Sequence, residues 1–348
     1  MKALFVGLGG VGQRHLRNLR TLRGDGVEVI AWRTRRLSRA LNARLEVEAG
    51  EDVERKYGVR AYPTLEEALA ARPDVAFICN PSSLHLPAAL AAARAGCHLF
   101  LEKPVSHSLD GLDDLRREVR QRKLATMVGY QLRFHPLLQR LHALLQAGAV
   151  GRVVAVQAEV AEYLPGWHPY EDYREMYAAR RDLGGGVVLS QIHEMDYLYW
   201  LFGLPRRVFA VGGHLSRLEI DVEDVASITL EFAGPQGAFP AHVHEDYLQR
   251  PSSRTCKVLG DAGKIELDLR ALWLRAYDRD GALAEEKTLP DFERNQMFLD
   301  ELSHFLACVE GAKPIVDLDD GIASLRMALA ARQSMETSEV VRLETLPR

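Results

Sequence analysis

The chain has little of what marks a specialised environment. Its 348 residues include only 4 cysteines, Cys79, Cys97, Cys256 and Cys308. They are scattered and form no C-x-x-C pair, so neither a disulfide framework nor a thiolate zinc site is indicated. A reducing cytoplasm fits that usage best. No apolar run is long enough to span a membrane, and Ala3-Leu4-Phe5-Val6 near the start is too short for a signal peptide. Neither sign of charge dominates. Lys and Arg number 44 and Asp and Glu 48, a net charge of -4, so nothing global steers the chain to nucleic acid or anionic lipid. His242, His244 and Asp246 alternate onto one strand face, but this reads as a polar strand surface, and no metal is expected.

What is present is an ordinary globular composition, 47% hydrophobic, in a chain long enough for about two domains. Ala3-Leu4-Phe5-Val6 reads as a buried parallel strand. Gly7-Leu8-Gly9-Gly10-Val11-Gly12 follows at once, and Val11, His15, Leu16, Leu19 and Leu22 then recur at helical spacing. Val27 to Ala31 is a second strand. This is G-x-G-x-x-G between strand and helix, the setting in which it binds a dinucleotide. Gly7 permits the turn, Gly9 lets backbone approach a pyrophosphate, Gly12 allows close packing, and Gly10 and Val11 open the helix toward the phosphates. An acid at the tip of the second strand would hold the ribose of NAD. Here the tip is Trp32-Arg33-Thr34-Arg35-Arg36, with no acid. A guanidinium pairs bidentately with phosphate, so NADP(H) is the preferred cofactor and NAD(H) the alternative. Arg33 is the expected 2′-phosphate contact, Thr34 a hydroxyl donor, and Arg35 or Arg36 support. Arginines 14, 17, 20 and 23 read as a solvated helix face, and the charged, alanine-rich stretch 37–56 as a helix.

Asp74 to Cys79 is another strand, ending in Asn80-Pro81-Ser82-Ser83-Leu84-His85. Cys97-His98-Leu99-Phe100-Leu101 delivers Glu102-Lys103-Pro104 to a strand's carboxyl end, where ligands sit in open α/β sheets. The glycine motif, the Asn80-Pro81-x-x-x-His85 loop and Gly96-x-His98-x-x-x-Glu102-Lys103-Pro104, in this order, resemble the glucose-fructose oxidoreductase / inositol dehydrogenase / MocA (Gfo/Idh/MocA) family. That resemblance implies Lys103 as the catalytic lysine and Asn80, Pro81, His85, Glu102 and Lys103 as neighbours of the nicotinamide half of the cofactor. Gln131-Leu132-Arg133-Phe134-His135-Pro136 is similar to the family's strand-end stretch, with Gln131 where asparagine is usual. Arg133 is a structural or substrate contact.

Gly184-Gly185-Gly186 precedes a long apolar pattern, 187–203, read as one helix. In it His193 and Asp196 share a face. The resemblance is to the family's glycine run and H-x-x-D helix, and implies His193 as the acid/base residue. The aspartate that inositol-dehydrogenase-like members carry one turn earlier is missing, since Leu189-Ser190-Gln191 stands there. This leaves a Lys–His pair, with Gln191 or Glu194 as helpers. The loop Trp167-His168-Pro169-Tyr170-Glu171-Asp172-Tyr173-Arg174 mixes aromatics with charge, which suits a polyhydroxylated ligand. Trp167, Tyr173 and Arg174 are its candidate substrate contacts, beside Arg133, Gln191 and His193.

The fold class is α/β. An N-terminal Rossmann domain, 1–130, precedes a C-terminal α+β domain, 131–348, built on a mostly antiparallel open sheet for substrate binding and oligomerisation. A helix at 322–335 is expected to pack back on the first domain. The implied activity is an NADP(H)-dependent oxidoreductase moving a hydride to or from a secondary alcohol or ketone of a sugar, cyclitol or nucleotide sugar. The alternatives are an NAD-retaining glycoside hydrolase and a non-catalytic ligand sensor. A homodimer or homotetramer through the open sheet is expected, because a bare sheet face usually needs a cover.

Overall fold

The computed structural model describes residues 1–33, 39–42, 44–234 and 237–345. The chain begins with β1 (Lys2–Val6), α1 (Gly10–Arg23), β2 (Glu28–Trp32), β3 (Arg39–Leu41), β4 (Val47–Asp52), α2 (Val53–Tyr57) and β5 (Arg60–Tyr62). It continues through α3 (Leu65–Ala70), β6 (Val75–Ile78), α4 (His85–Arg94), β7 (His98–Glu102), α5 (Leu112–Arg122) and β8 (Thr126–Gly129). Helical crossovers force neighbouring strands parallel. They form a sheet in the order β5-β2-β1-β6-β7-β8. Strand order reverses between β1 and β6, which opens a ligand crevice at the carboxyl ends of the strands. Short apolar runs bury every residue of β6 and almost all of β1 and β7, and Phe5 stacks on Phe77 at 4.6 Å.

The stretch expected as a helix over 37–56 is instead the antiparallel hairpin β3–β4 with the one-turn α2. Asn42 explains the difference. Its Oδ1 accepts from the amides of Arg44 (2.8 Å) and Glu46 (3.0 Å), closing a turn that competes with a helix. The arginine stripe of α1 is likewise not a solvated face. Arg14 lies over the Phe298 ring, Arg17 donates to Leu41 O, Arg20 to Val27 O and Tyr57 O, and Arg23 to Glu310.

The remaining elements are α6 (Pro136–Gln146), β9 (Val153–Ala161), α7 (Val187–Ser190), α8 (His193–Phe202), β10 (Arg207–Gly213), β11 (Val225–Gly234) and β12 (Gly237–Asp246). After them come β13 (Ser253–Gly260), β14 (Lys264–Asp268), β15 (Trp273–Tyr277), β16 (Leu283–Thr288), α9 (Asn295–Val309), α10 (Leu318–Thr337) and β17 (Val341–Arg342). The second sheet runs β16-β15-β14-β13-β9-β12-β11-β10-β17, antiparallel except where β9 meets β12. Its strands alternate buried and accessible residues, as a sheet covered on one face must. Helices α7, α8 and α10 cover that face, while Val154, Phe209, Val211 and Leu259 are exposed. Helix α10 touches both sheets. Arg116 and Arg120 of α5 hold Asp319 at 2.7 and 2.8 Å, Val128 N donates to Val316 O, and the rest of the helix lies against β10 and α8. Among the described residues, no helix is long and apolar enough to cross a membrane.

Candidate active site

The glycine turn sits at the crevice with two of its glycines packed tight and one open. A Cβ on Gly7 would lie 2.9 Å from Cys79 O, and one on Gly12 would lie 2.4 Å from Gly7 O. Gly7 also has φ +94°, which other residues rarely adopt. Among the described residues, nothing lies within 4 Å of a Cβ on Gly9. Among them, too, no side chain caps the N-terminus of α1, which leaves its amides available to an anion. A tight turn, an open backbone at the middle glycine and an uncapped helix start fit a dinucleotide pyrophosphate. One group already reaches the turn from the far side. The Tyr170 hydroxyl would be 2.7 Å from a Cβ on Gly10, and Arg39 both donates to Tyr170 O (2.5 Å) and lies over its ring.

Strand β7 ends in Glu102 and Lys103. Glu102 is buried, with Oε1 2.6 Å from His15 Nε2. Burial opposes its charge, but the His15 hydrogen bond and the nearby His15, Lys103 and His85 outweigh it and hold the carboxyl below its usual range. His85 is also buried, and its ring nitrogens lie 2.7 Å from Pro104 O and 2.7 Å from Asn80 O. It therefore knits the β6 and β7 loops together. Asn80 donates to Leu84 O and keeps a buried Oδ1 without a partner.

Lys103 leaves the strand end and donates from Nζ to Ser190 O at 2.5 Å. That carbonyl ends α7. The single helix expected over 187–203 is in fact broken at Gln191–Ile192, and α8 restarts at His193. The break is where the two halves meet. His193 is buried, edge-on to Tyr130, with Nε2 3.2 Å from Gln131 Nε2 and Nδ1 unpartnered among the described residues. Burial, then the charges of Lys103, Arg254 and Arg294, push its pKa well below an ordinary histidine, so the ring is neutral near pH 7. Gln191 Oε1 and Trp167 Nε1 are also buried without partners among the described residues. Buried polar atoms normally find partners, so this set fits a ligand rich in hydroxyls. Arg174 is spent on Asp172 and Glu219 at the surface, and the Tyr173 hydroxyl accepts from Glu219 N, so these two are tied within their own loop.

Three further expectations are corrected. Arg133 is not free for substrate: it is 3% exposed, forks onto Asp196 at 2.7 and 3.0 Å, and donates to Ile315 O. It anchors α8. Glu194 is no helper to His193, because it pairs with Arg254 at 2.8 and 2.9 Å. Arg33 is buried and paired with Glu54. Thr34, Arg35 and Arg36 lie outside the described residues. Among the described residues no cluster of His, Cys, Asp and Glu is placed to hold a metal; His244 and His242 pair instead with Asp246, Ser227 and Thr229 along their strands. Surface cavities of 330 and 470 Å³, beside Arg332 and Lys123, include neither Lys103 nor His193.

Four residues were not singled out as site members beforehand. Gln131 could have been, since it departs from the asparagine of the stretch that contains it. Tyr170 was hidden among its loop's other aromatics. Arg14 and Arg294 carry no local signal, because only the fold brings α1 and α9 together.

Residues 1–130 match the oxidoreductase family model with the NAD-binding Rossmann fold, and residues 138–266 match the Gfo/Idh/MocA C-terminal domain. The chain belongs to the Gfo/Idh/MocA family and is an NAD(P)-dependent dehydrogenase/reductase. It is 27% identical, over 99% of each chain, to myo-inositol 2-dehydrogenase of Thermotoga maritima. It is 23% identical to the NADP(+) D-xylose 1-dehydrogenase of Haloarcula marismortui, covering 78% of this chain and 75% of that one. The WlbA dehydrogenase of Bordetella pertussis, solved with NADH and UDP-GlcNAcA, superposes with TM-score 0.78 at 22% identity, over 100% of this chain and 99% of the other.

Proposed function

We propose that the protein moves a hydride between NAD(P)(H) and a CH–OH/C=O carbon of a sugar, cyclitol or nucleotide sugar. The observation that carries this reading is the Lys103 Nζ to Ser190 O bond, which joins the dinucleotide crevice to the helix break bearing His193. Nicotinamide, when bound, accepts or donates the hydride. The rest falls to side chains. In the oxidation direction neutral His193 takes the hydroxyl proton, and it returns a proton in reduction. Lys103 has one N–H on Ser190 O, and its remaining donors are free among the described residues to hydrogen-bond the substrate oxygen as charge develops there. Gln131 sets the imidazole. With its amide nitrogen toward Nε2, the ring proton is on Nδ1; with the amide reversed, Nδ1 is the free base. Gly7, Gly9, Gly10, Val11 and Gly12 hold the pyrophosphate, and the Asn80, Pro81 and Glu102 loops meet the nicotinamide half.

NADP(H) is our preferred cofactor, on the absence of an acid after β2. Arg33 is engaged by Glu54, so the 2′-phosphate falls chiefly to the arginines that follow it. Arg33→Ala should then change the NADPH to NADH affinity ratio less than the Arg35→Ala, Arg36→Ala pair does. Trp167 and Gln191 line the substrate side. We place the domain junction at residue 130 and propose a homodimer or homotetramer on the exposed sheet face around Phe209 and Val211, which sedimentation of the wild type and Val211→Glu would test. The direct test of the activity is stoichiometric reduction of NAD(P) by a sugar and cyclitol panel. A cofactor that stays bound and unreduced at the end of turnover overturns it.

A further inference from the structure

The chain is net acidic, yet its catalytic cleft is not. Among the described residues, the charges of Lys103, Arg254 and Arg294 reach His193 at the helix break, and Arg14 and Arg270 in turn lie within reach of Arg294. Two of them are neutralised. Arg254 forks onto Glu194 at 2.8 and 2.9 Å, and Arg270 pairs with Glu162. Glu102 is occupied by His15, and Glu245, fully buried near Arg254 and Lys103, has its carboxyl raised well above the usual range by burial and then by Glu194, so it offers no counter-charge. Arg14 and Arg294 make no hydrogen bond or ion pair with any described residue.

Their placement follows from the packing of α1 on α9. Asn18 and Asn295 exchange hydrogen bonds of 2.9 and 3.4 Å across the two helices. Arg14 lies 4.4 Å from the centroid of the Phe298 ring, one turn along α9 from Arg294. Arg294 stands just before α9, close enough to Arg14 and to Arg254 for their charges to act on one another. It is exposed to solvent. Burial by the surrounding protein, then the charge of Arg254, lowers its pKa, and burial together with Arg294 brings Arg14 down to about 10. Its field also reaches His193. Holding Arg14 and Arg294 close together with no carboxylate paired to either costs free energy unless an anion joins them.

The dinucleotide pyrophosphate accounts for the end nearest the glycine turn, where Arg14 sits one turn into α1. It does not account for Arg294, which lies toward Arg254 and His193. We propose that Arg294 is a specificity residue that binds an anionic group of the substrate, a carboxylate or a phosphate, so that the enzyme selects acidic or nucleotide-linked sugars over neutral ones. This rests on the dehydrogenase reading given above. The guanidinium fork suits either oxyanion.

The test is a binding and turnover panel with glucuronate, UDP-glucose, UDP-glucuronate, glucose and myo-inositol on the wild type, Arg294→Gln and Arg294→Lys. Binding is read by thermal shift with NADH or NADPH present. We expect an acidic or nucleotide-linked member to bind roughly 10- to 100-fold more tightly than its neutral counterpart, the range of a charge-assisted contact. Arg294→Gln should abolish that ratio, Arg294→Lys should keep part of it, and 0.5 M NaCl should reduce it. Preference for glucuronate identifies a carboxylate, and preference for UDP-glucose a phosphate. The inference is overturned if neutral and anionic members bind alike, if no anion in the panel binds, if Arg294→Gln keeps the ratio, or if its loss falls on the cofactor instead. Anion-selective binding without any NAD(P) reduction would leave the inference standing and remove the dehydrogenase reading.

Discussion

The two sides of the proposed catalytic cleft are built in opposite ways. The Lys103 side is local: β7, buried in all but its first residue, ladders between β6 and β8 and ends at Glu102, just before Lys103, with Glu102 fixed by His15. The His193 side is assembled from distant pieces. Its short helix is held from behind by two buried ion pairs, Arg133–Asp196 and Arg254–Glu194, whose partners lie 63 and 60 residues apart in sequence. One side takes its rigidity from backbone hydrogen bonds, and the other from charges sealed away from water. A buried pair tolerates removal of one partner poorly, because the survivor is left charged and dry.

That contrast gives the largest expected effect. Arg133→Met should destabilise the protein by about 3–5 kcal/mol, the usual consequence of breaking a buried pair. Arg133→Met with Asp196→Asn should recover part of the loss in urea unfolding. Equal stabilities of the single and double variants would show that Asp196 is not left uncompensated. On the other side, Lys103→Met should leave the strand and cofactor binding intact while kcat falls roughly 10²–10³-fold, the scale of one lost donor to a developing oxyanion. A loss confined to cofactor affinity would move Lys103 out of the chemistry.

The pH profile tests whether the two sides communicate. The imidazole of His193 is held well below 6.5, by burial first and by Lys103 next. In the oxidation direction its base form should persist, so kcat/KM should stay level as pH falls through 6.5. In Lys103→Met the residual activity should begin to fall at higher pH, because one opposing charge is gone. Identical acid limbs would show that Lys103 and His193 are not electrostatically coupled.

The sequence made the Lys103 side readable because its signals are contiguous: apolar runs, glycines at fixed steps and a lysine at a strand end. The His193 helix was readable as a residue pattern but not as a broken helix. Its interruption follows from the tertiary requirement that Ser190 O meet Lys103, which no local propensity encodes. Arg133 read equally as a structural or a substrate contact for a related reason. Only the fold reveals that Asp196, on the same face as His193, reaches back to claim it. Over 37–56 the composition favoured a helix, and one asparagine's turn chemistry overrode it. The second sheet's late strands, β14 to β16, are short and polar on one face, so periodicity alone left them unmarked.

A smaller effect concerns two neighbouring glutamates treated differently by the same packing. Glu102 has His15, while Glu301 on α9 is fully buried and neither of its oxygens has a partner among the described residues. Burial, reinforced by Glu102 and Asp196, raises the Glu301 carboxyl well above 4.5. The folded protein therefore holds a proton that the unfolded chain releases above pH 4.5. Unfolding then releases a proton, so this group's contribution is fully present below pH 4.5 and declines as pH rises toward its folded value. The slope is about 1.4 kcal/mol per pH unit for one proton. Glu301→Gln cannot ionise and removes that slope. Its stability relative to wild type should therefore rise steadily from pH 5 to pH 8 in guanidinium unfolding, with the catalytic rate following wild type. Parallel stability curves across that range would mean that Glu301 ionises in the folded state as readily as in the unfolded chain, and that α9 packs its carboxylate with a counter-charge after all.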